Sequence, residues 1–362
     1  MDTLALIKEK YQGFIPAHAR ARLEEELELV AESSTPLFFE LIGRIVKAAF
    51  ANGGEAMTTG NVSSSFLAYL LGAHNVNPLP PHYFCPICGR LELVPEAKSG
   101  FDLEEKICCS KPMIRDGHGL SASIYKPFFK DSSIFSLRVS DNVAALAGEM
   151  VEEFYSLHPE IERSEHRFVI TPAEEQNVLS KLRERTGVEF DSLPTEEVME
   201  AFRSLKLHGI YRFGGDVPRE VLSLTQPESF NELVRSCSVY HGTGSYIDSG
   251  KNLLISGHSI NDIITSKDDI FDYALAHGCS FTVAELEMMR AATGFYFDKS
   301  REEINERCQY SPEWTEALSK ISYLSSRGIA ISGILVAIRM MKYKLAYPDL
   351  FADLTLIDGT AP

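Results

Sequence analysis

The sequence predicts an α+β chain: a small sheet with helices and a four-cysteine metal module, followed by a mostly α-helical second half. Three observations predict it. Four of the seven cysteines fall between Cys85 and Cys109. Two short apolar runs, Ile134–Val139 and Phe168–Ile170, read as strands flanking an acidic helical stretch, Ala144–Tyr155. From Gln176 onward, apolar residues recur at helical spacing in segment after segment.

Taken in order, Ala17 to Ala51 reads as two helices, with Leu23, Leu27 and Val30 on the first and Phe38, Phe39, Leu41, Ile42 and Ile45 on the second. Ser33-Ser34-Thr35-Pro36 divides them, the hydroxyls offering an N-cap and Pro36 suiting a first turn. Gly53-Gly54 closes the second helix. A polar loop of small residues, Thr58 to Ser65, leads into an apolar helix over Phe66–Leu71, and Asn77-Pro78-Leu79-Pro80-Pro81 is a stiff extended connector. The second half predicts helices over Val178–Arg185, Glu196–Leu207, Phe230–Ser236, Ile260–Ile264, Asp268–Ala276, Val283–Thr293, Pro312–Arg327 and Ile331–Ala346. The acidic end after Pro348 is expected to fray.

A formal charge of −16 argues against a chain that coats nucleic acid by bulk electrostatics. A local basic stripe is still available: residues 327–344 carry Arg327, Arg339, Lys342 and Lys344 and no acid. Arg339 and Lys342 share a helical face. Either a solvated helix face or a weak nucleic-acid contact would account for the stripe. No apolar run is long enough to cross a bilayer, and Met1-Asp2-Thr3-Leu4 lacks a signal peptide's layout, so a cytoplasmic location is expected.

Cys85-Pro86-Ile87-Cys88 and the adjacent pair Cys108-Cys109 are the strongest local signal. Four soft thiolates predict a closed tetrahedral site, structural zinc in the first place and a rubredoxin-like iron as the alternative. Such a site stabilises a lobe without an open position for catalysis. Cys237, Cys279 and Cys308 are scattered, as expected of ordinary thiols. The ten histidines form no catalytic motif; His82 and His118 lie near the cysteine knuckles, where either a supporting contact to the metal ligands or, in the first place, an ordinary satisfied structural role would account for them. Gly242-Thr243-Gly244-Ser245 is too short for a phosphate loop.

The module sits in a longer run. Gly-Ala-His-Asn-Val-Asn-Pro-Leu-Pro-Pro-His-Tyr-Phe-Cys-Pro, from Gly72 to Pro86, resembles the palm of the PolC-type DNA polymerase III alpha subunit, in which the same proline-rich stretch leads into zinc cysteines. Gly100-Phe101-Asp102-Leu103, Asp116-Gly117-His118 and Arg22-Leu23-Glu24-Glu25-Glu26-Leu27 are similar to further landmarks of that family. More weakly, Val178–Leu354 resembles its fingers, with His241-Gly242-Thr243, Asp268-Asp269-Ile270, Ala337-Ile338-Arg339 and Tyr347-Pro348 as landmarks. The resemblance implies a palm-like domain over residues 1–175, with a zinc module near 82–118 and a short thumb-like helix near 141–165. A fingers-like domain over 176–348 and a tail over 349–362 would follow.

The departures imply a truncated and catalytically degenerate relative. The family transfers nucleotidyl groups with two metal ions held by aspartates, two of them on a Pro-Asp-Ile-Asp-Leu-Asn-Phe strand. The matching strand places Ile134 and Ser136 there, and no aspartate occurs between Asp141 and Asp191 to supply a third. The glycine-rich phosphate loop keeps only Gly60 and lacks its arginine, and the nucleotide loop of the fingers keeps only Arg327 as a basic residue. The expected function is therefore a catalytically inactive PolC-like protein that binds DNA or a replication partner, as a regulator or competitor of an intact polymerase, with Mg²⁺ not expected. Two alternatives stand: nucleotidyl transfer by relocated carboxylates (Asp116, Asp131, Asp141 or Glu165), and a zinc-stabilised protein-interaction module.

Overall fold

A computed structural model describes residues 3–31, 33–122, 133–164, 166–292 and 310–356. Asp131, Glu165, Thr293 and Cys308 lie outside the described residues. The chain divides into two compact units, Met1–Leu193 with Ile338–Thr360, and Pro194–Ala337.

The first unit opens with α1 (Thr3–Lys10), α2 (Ala17–Val30) and α3 (Thr35–Ala51). The break between α2 and α3 falls where the sequence puts it. The hydroxyl that helps there belongs to Ser33, which accepts from Thr35 N at 3.3 Å, while Ser34 at the cap position makes no side-chain bond. β1 (Ala56–Thr59) follows, and α4 (Phe66–Leu70) is capped by Ser65, whose Oγ accepts from Ala68 N at 3.1 Å. The metal module contributes β2 (His82–Phe84), β3 (Leu91–Leu93), β4 (Ile107–Cys108), β5 (Lys111–Pro112) and β6 (Ile114–Asp116). After it come β7 (Ser133–Val139), α5 (Asp141–Leu157), β8 (His166–Pro172) and α6 (Glu174–Thr186).

The main sheet runs β1-β7-β8, with β1 antiparallel to β7 and β7 parallel to β8. Alternation along β7 buries Phe135, Leu137 and Val139 against α3 and α5. Phe38 of α3 is the hub, its ring centroid 4.9 Å from Phe135, 5.2 Å from Phe154 and 5.6 Å from Phe168. A cluster of this kind gains from aromatic geometry as well as from buried area.

One buried carboxylate ties distant parts of this unit together. Glu55, in the turn between α3 and β1, accepts from Arg339 bidentately at 3.0 and 3.1 Å and forms an ion pair with Arg183 of α6 at 3.0 Å. Arg183 also stacks on Phe50, 4.0 Å from its centroid, and donates to Gly54 O at 2.8 Å. Phe190 meets Tyr343 edge-on at 4.8 Å, and Tyr343 donates to Val188 O.

The second unit is helical: α7 (Glu196–Arg203), α8 (Asp216–Thr225), α9 (Phe230–Val239), α10 (Lys251–Ile255), α11 (Lys267–Ala276), α12 (Phe281–Ala292) and α13 (Pro312–Lys320). Helix α14 (Arg327–Ala346) begins in this unit, and α15 (Pro348–Leu356) closes the described chain. Three sequence expectations need correction, and one helix was not foreseen. The helix expected over Ile260–Ile264 is a single 3₁₀ turn, Ile260–Asp262, closed by a Ser259–Asp262 capping box. The helix expected over Pro312–Arg327 stops at Lys320, because Tyr323 turns extended to bridge Thr243, whose N donates to Tyr323 O at 3.0 Å. Helix α8 was hidden by Pro218, which its first turn tolerates while Val221 and Leu222 are fully buried. The acidic end is helical through Leu356 instead of frayed, because Phe351 and Leu354 are buried.

At the start of α11, burial pushes the Asp268 carboxyl up to about 6 against the pull of Arg327. Burial acts on Asp269 too, but Arg235 (2.6 Å), Arg327 and the Thr265 amide overcome it and hold Asp269 at about 2. The two neighbours therefore have opposite linkage. A raised carboxyl means that the folded state binds the extra proton, so Asp268 lowers stability as pH rises from about 4 to 6. Asp269 adds stability that is full above about pH 4 and is lost as pH falls toward 2.

Three substitutions test these contacts. Asp268→Asn should remove a decline on the order of 2 kcal/mol between pH 4 and 6, read from urea midpoints across that range. Glu55→Ala, which leaves two guanidinium groups without their carboxylate, should cost about 3–5 kcal/mol. Lys342→Ala, whose partner Asp191 is 76% exposed, should cost about 1 kcal/mol or less by the same assay.

Candidate metal centre and sheet face

The first cysteine knuckle follows β2. Cys85 N donates to Arg90 O at 2.8 Å and Gly89 N to Cys85 O at 3.0 Å, which closes a tight loop with Cys85 and Cys88 on one side. The second knuckle is a two-residue hairpin between β4 and β5. Cys109 and Ser110, its central residues, both lie in left-handed backbone with φ of +50° and +61°. That is the turn an antiparallel hairpin of this length prefers, and it explains how neighbouring cysteines serve one centre.

All four sulfurs lie within 4.8 Å of one another, with Cys88–Cys108 and Cys108–Cys109 both at 3.8 Å. This is far beyond a disulfide bond of about 2 Å. It matches the edge of a tetrahedron around an ion bonded to sulfur at about 2.3 Å, so the residues fit a metal. Backbone N–H groups of Cys88 and Ile87 lower the Cys85 thiol, while hydrogen bonding to the crowded Cys85 and Cys88 sulfurs raises Cys108. Bringing four thiolates together therefore calls for a cation. Of the two readings of His82 and His118, the geometry shows structural histidines: His82 Nδ1 pairs with Pro80 O at 2.8 Å and His118 Nδ1 with Ser99 Oγ at 3.0 Å.

Those histidines belong to a seam that docks the module on the helices. His118, Gly119 and Leu120 donate their N–H groups to the carbonyls of Asn77, Leu79 and Pro78, which suits a proline-rich partner with few donors of its own. Asn77 Nδ2 donates to Asp116 at 2.8 Å, and Gly117 N caps the same carboxylate. Gly117 has φ +92°, and a Cβ there would lie 2.4 Å from Pro80 O, so the seam requires glycine.

The face of the main sheet turned away from α3 and α5 carries Met57 and Thr59, then Ile134, Ser136 and Arg138, then Arg167, Val169 and Thr171, aligned by strand register. None is a carboxylate. Ile134 is 51% exposed, and Arg138 is held bidentately by Glu175 at 2.6 and 2.8 Å. Of the relocated acids, Asp116 is engaged in the seam. Asp141 begins α5, where it lines an open polar groove of about 480 Å³ with Asn177, Lys181 and Glu184. Among the described residues, the four cysteines are the one group of three or more metal-ligating side chains gathered at a point.

The basic stripe is neither solvated nor displayed. Arg327 is 9% exposed and bound to Asp272 at 2.6 Å, Arg339 is bound to Glu55, and Lys342 reaches Asp191 at 2.5 Å. Lys344 sits 5.7 Å from the Phe351 ring centroid. Three of the four candidate phosphate contacts thus hold internal carboxylates. Sequence reasoning missed this because the partner of Arg339 lies 284 positions away.

Residues 174–291, from the start of α6 to near the end of α12, match the model of the bacterial DNA polymerase III alpha subunit finger domain. PolC-type DNA polymerase III from Thermotoga maritima is 23% identical over 96% of the chain. The chain is a PolC-like relative. The PolC-type enzymes of Caldanaerobacter subterraneus and Bacillus cereus are 23% and 22% identical over 96% and 94% of it. These alignments take in 34%, 33% and 32% of the three relatives, so the chain spans about a third of the length of the curated PolC proteins it matches. Among its described residues, no helix is long and apolar enough to cross a membrane.

The metal geometry makes a definite claim. Protein purified without chelator should carry one metal ion per chain by elemental analysis, and Co²⁺ exchanged into the site should show the intense absorption of tetrahedral thiolate. Cys88→Ser or Cys109→Ser should each weaken metal retention and lower the melting temperature. Metal-free protein with an unchanged melting temperature would contradict it.

Proposed function

We propose that this PolC-like protein acts by binding and not by nucleotidyl transfer, with structural zinc held by Cys85, Cys88, Cys108 and Cys109 in a palm-like domain. The observation that carries this reading is the carboxylate-free face of β7. In-line displacement by two metal ions needs several carboxylates at one point, and Ile134, Ser136 and their cross-strand neighbours offer none. Of the relocated carboxylates, Asp116 is disfavoured because it is committed to Asn77 and Gly117. The partner is DNA or a replication protein. The ion-paired state of Arg327, Arg339 and Lys342, on a chain of charge −16, favours a protein partner. A regulator or competitor of an intact polymerase is the role that fits such binding.

Primed template with dNTPs and Mg²⁺ or Mn²⁺ should show no extension above a buffer control. Extension that survives stringent purification would sink this reading. Fluorescence anisotropy with the same DNA should give a dissociation constant on the order of micromolar or poorer at physiological salt. Tight binding with a steep salt slope would make DNA the partner.

A further inference from the structure

Arg212 lies in the second unit, between α7 and α8, in left-handed backbone with φ +66°, an uncommon state for a residue with a side chain. Tyr240 donates from its hydroxyl to the Arg212 carbonyl at 3.0 Å and holds that conformation. The guanidinium lies on α14 at Gly333, where a Cβ would come within 2.2 Å of Nε and 2.8 Å of Cζ. Its neighbours are the Tyr211 ring, 5.5 Å away, and the fully buried Cys237 thiol. Burial pushes that thiol up, so it stays neutral.

What is missing is an anion. Arg203, Arg235 and Arg327 of the same unit each reach a carboxylate, whereas the charged groups acting on Arg212 include none among the described residues. Its Nε is buried without an acceptor, and so is Nε2 of nearby His241 without a partner. Burial, and then the Arg212 charge, hold the His241 imidazole neutral. A charge largely removed from water costs stability unless an opposite charge pairs with it, and here the fold supplies only the neutral Tyr211 and Cys237 side chains as hydrogen-bond partners.

We infer that Arg212, with His241 beside it, binds a phosphate-class oxyanion supplied by a ligand. A guanidinium fork matches two phosphate oxygens, and a neutral imidazole either donates to a third or accepts from a protonated one, according to its tautomer. The phosphate is either a free one or one on a nucleic-acid backbone. This inference does not rest on the absence of catalysis: a protein that extends primers could still bind phosphate here, and an inert one could fail to.

The test uses the full chain at constant ionic strength, with inorganic phosphate at 10 mM, or a short DNA oligonucleotide, replacing chloride. The wild type should melt about 2–4 °C higher with at least one probe, whereas Arg212→Gln should not respond. In phosphate-free buffer Arg212→Gln should melt at or above the wild type, since it removes an uncompensated charge. A response to phosphate identifies a free anion as the source, and a response to DNA alone identifies the backbone. Should the variant fail to fold, broadening of the ³¹P line of phosphate or of the oligonucleotide by the wild type decides the matter. No melting shift and no broadening, or an equal shift in the variant, would overturn the proposal.

Discussion

The constraint on which most of the first unit depends is the charge balance at Glu55. A carboxylate 6% exposed has been taken from water, and it survives because two guanidinium groups close on it from parts of the chain remote from each other. Arg183 comes from α6 and Arg339 from the last third of α14, so one ionic knot fastens residues near 339 onto the sheet and helices that begin the chain. Releasing a cation from such a buried carboxylate to phosphate is costly, because breaking the pair leaves a charge that the interior cannot solvate.

The same logic separates what the sequence made legible from what it hid. Helices α2, α3, α6, α9 and α11 were readable because their apolar residues repeat with the helical period and their ends carry recognisable stops. Strands β2 to β6 were not, since segments of two or three residues have no period to detect. The module was legible through its cysteines, whose chemistry depends on spacing within two short turns. The partners of the basic stripe were hidden because helical spacing gives the face of a side chain and not what it binds. Glu55, Asp191 and Asp272 are remote in sequence from the residues they bind, so only the fold brings them together.

The proline-rich run that resembles PolC in sequence forms the seam between the module and the helices. Asn77, Asp116, Gly117 and the prolines from Pro78 to Pro81 are bound to one another by backbone and side-chain hydrogen bonds in a space that admits no Cβ at Gly117. Such a joint tolerates little change whatever the protein does. Sequence likeness at such a joint speaks for a shared scaffold, and the face of β7 has to be judged on its own residues.

A sheet face without carboxylates is easier to fold than one that carries them. Acids gathered to hold cations repel one another in the empty state, so a two-metal site is a source of strain that its chemistry justifies. Ile134, Ser136 and Val169 carry no such repulsion, and Arg138 has a neutralising partner in Glu175. The face has nonetheless not become core: Ile134 and Val169 stay 51% and 41% exposed, with Arg167 exposed between them in register. A surface relieved of electrostatic strain but left partly apolar is better suited to contact with another protein than to holding metal ions, which is the physical ground for reading this relative as a binder.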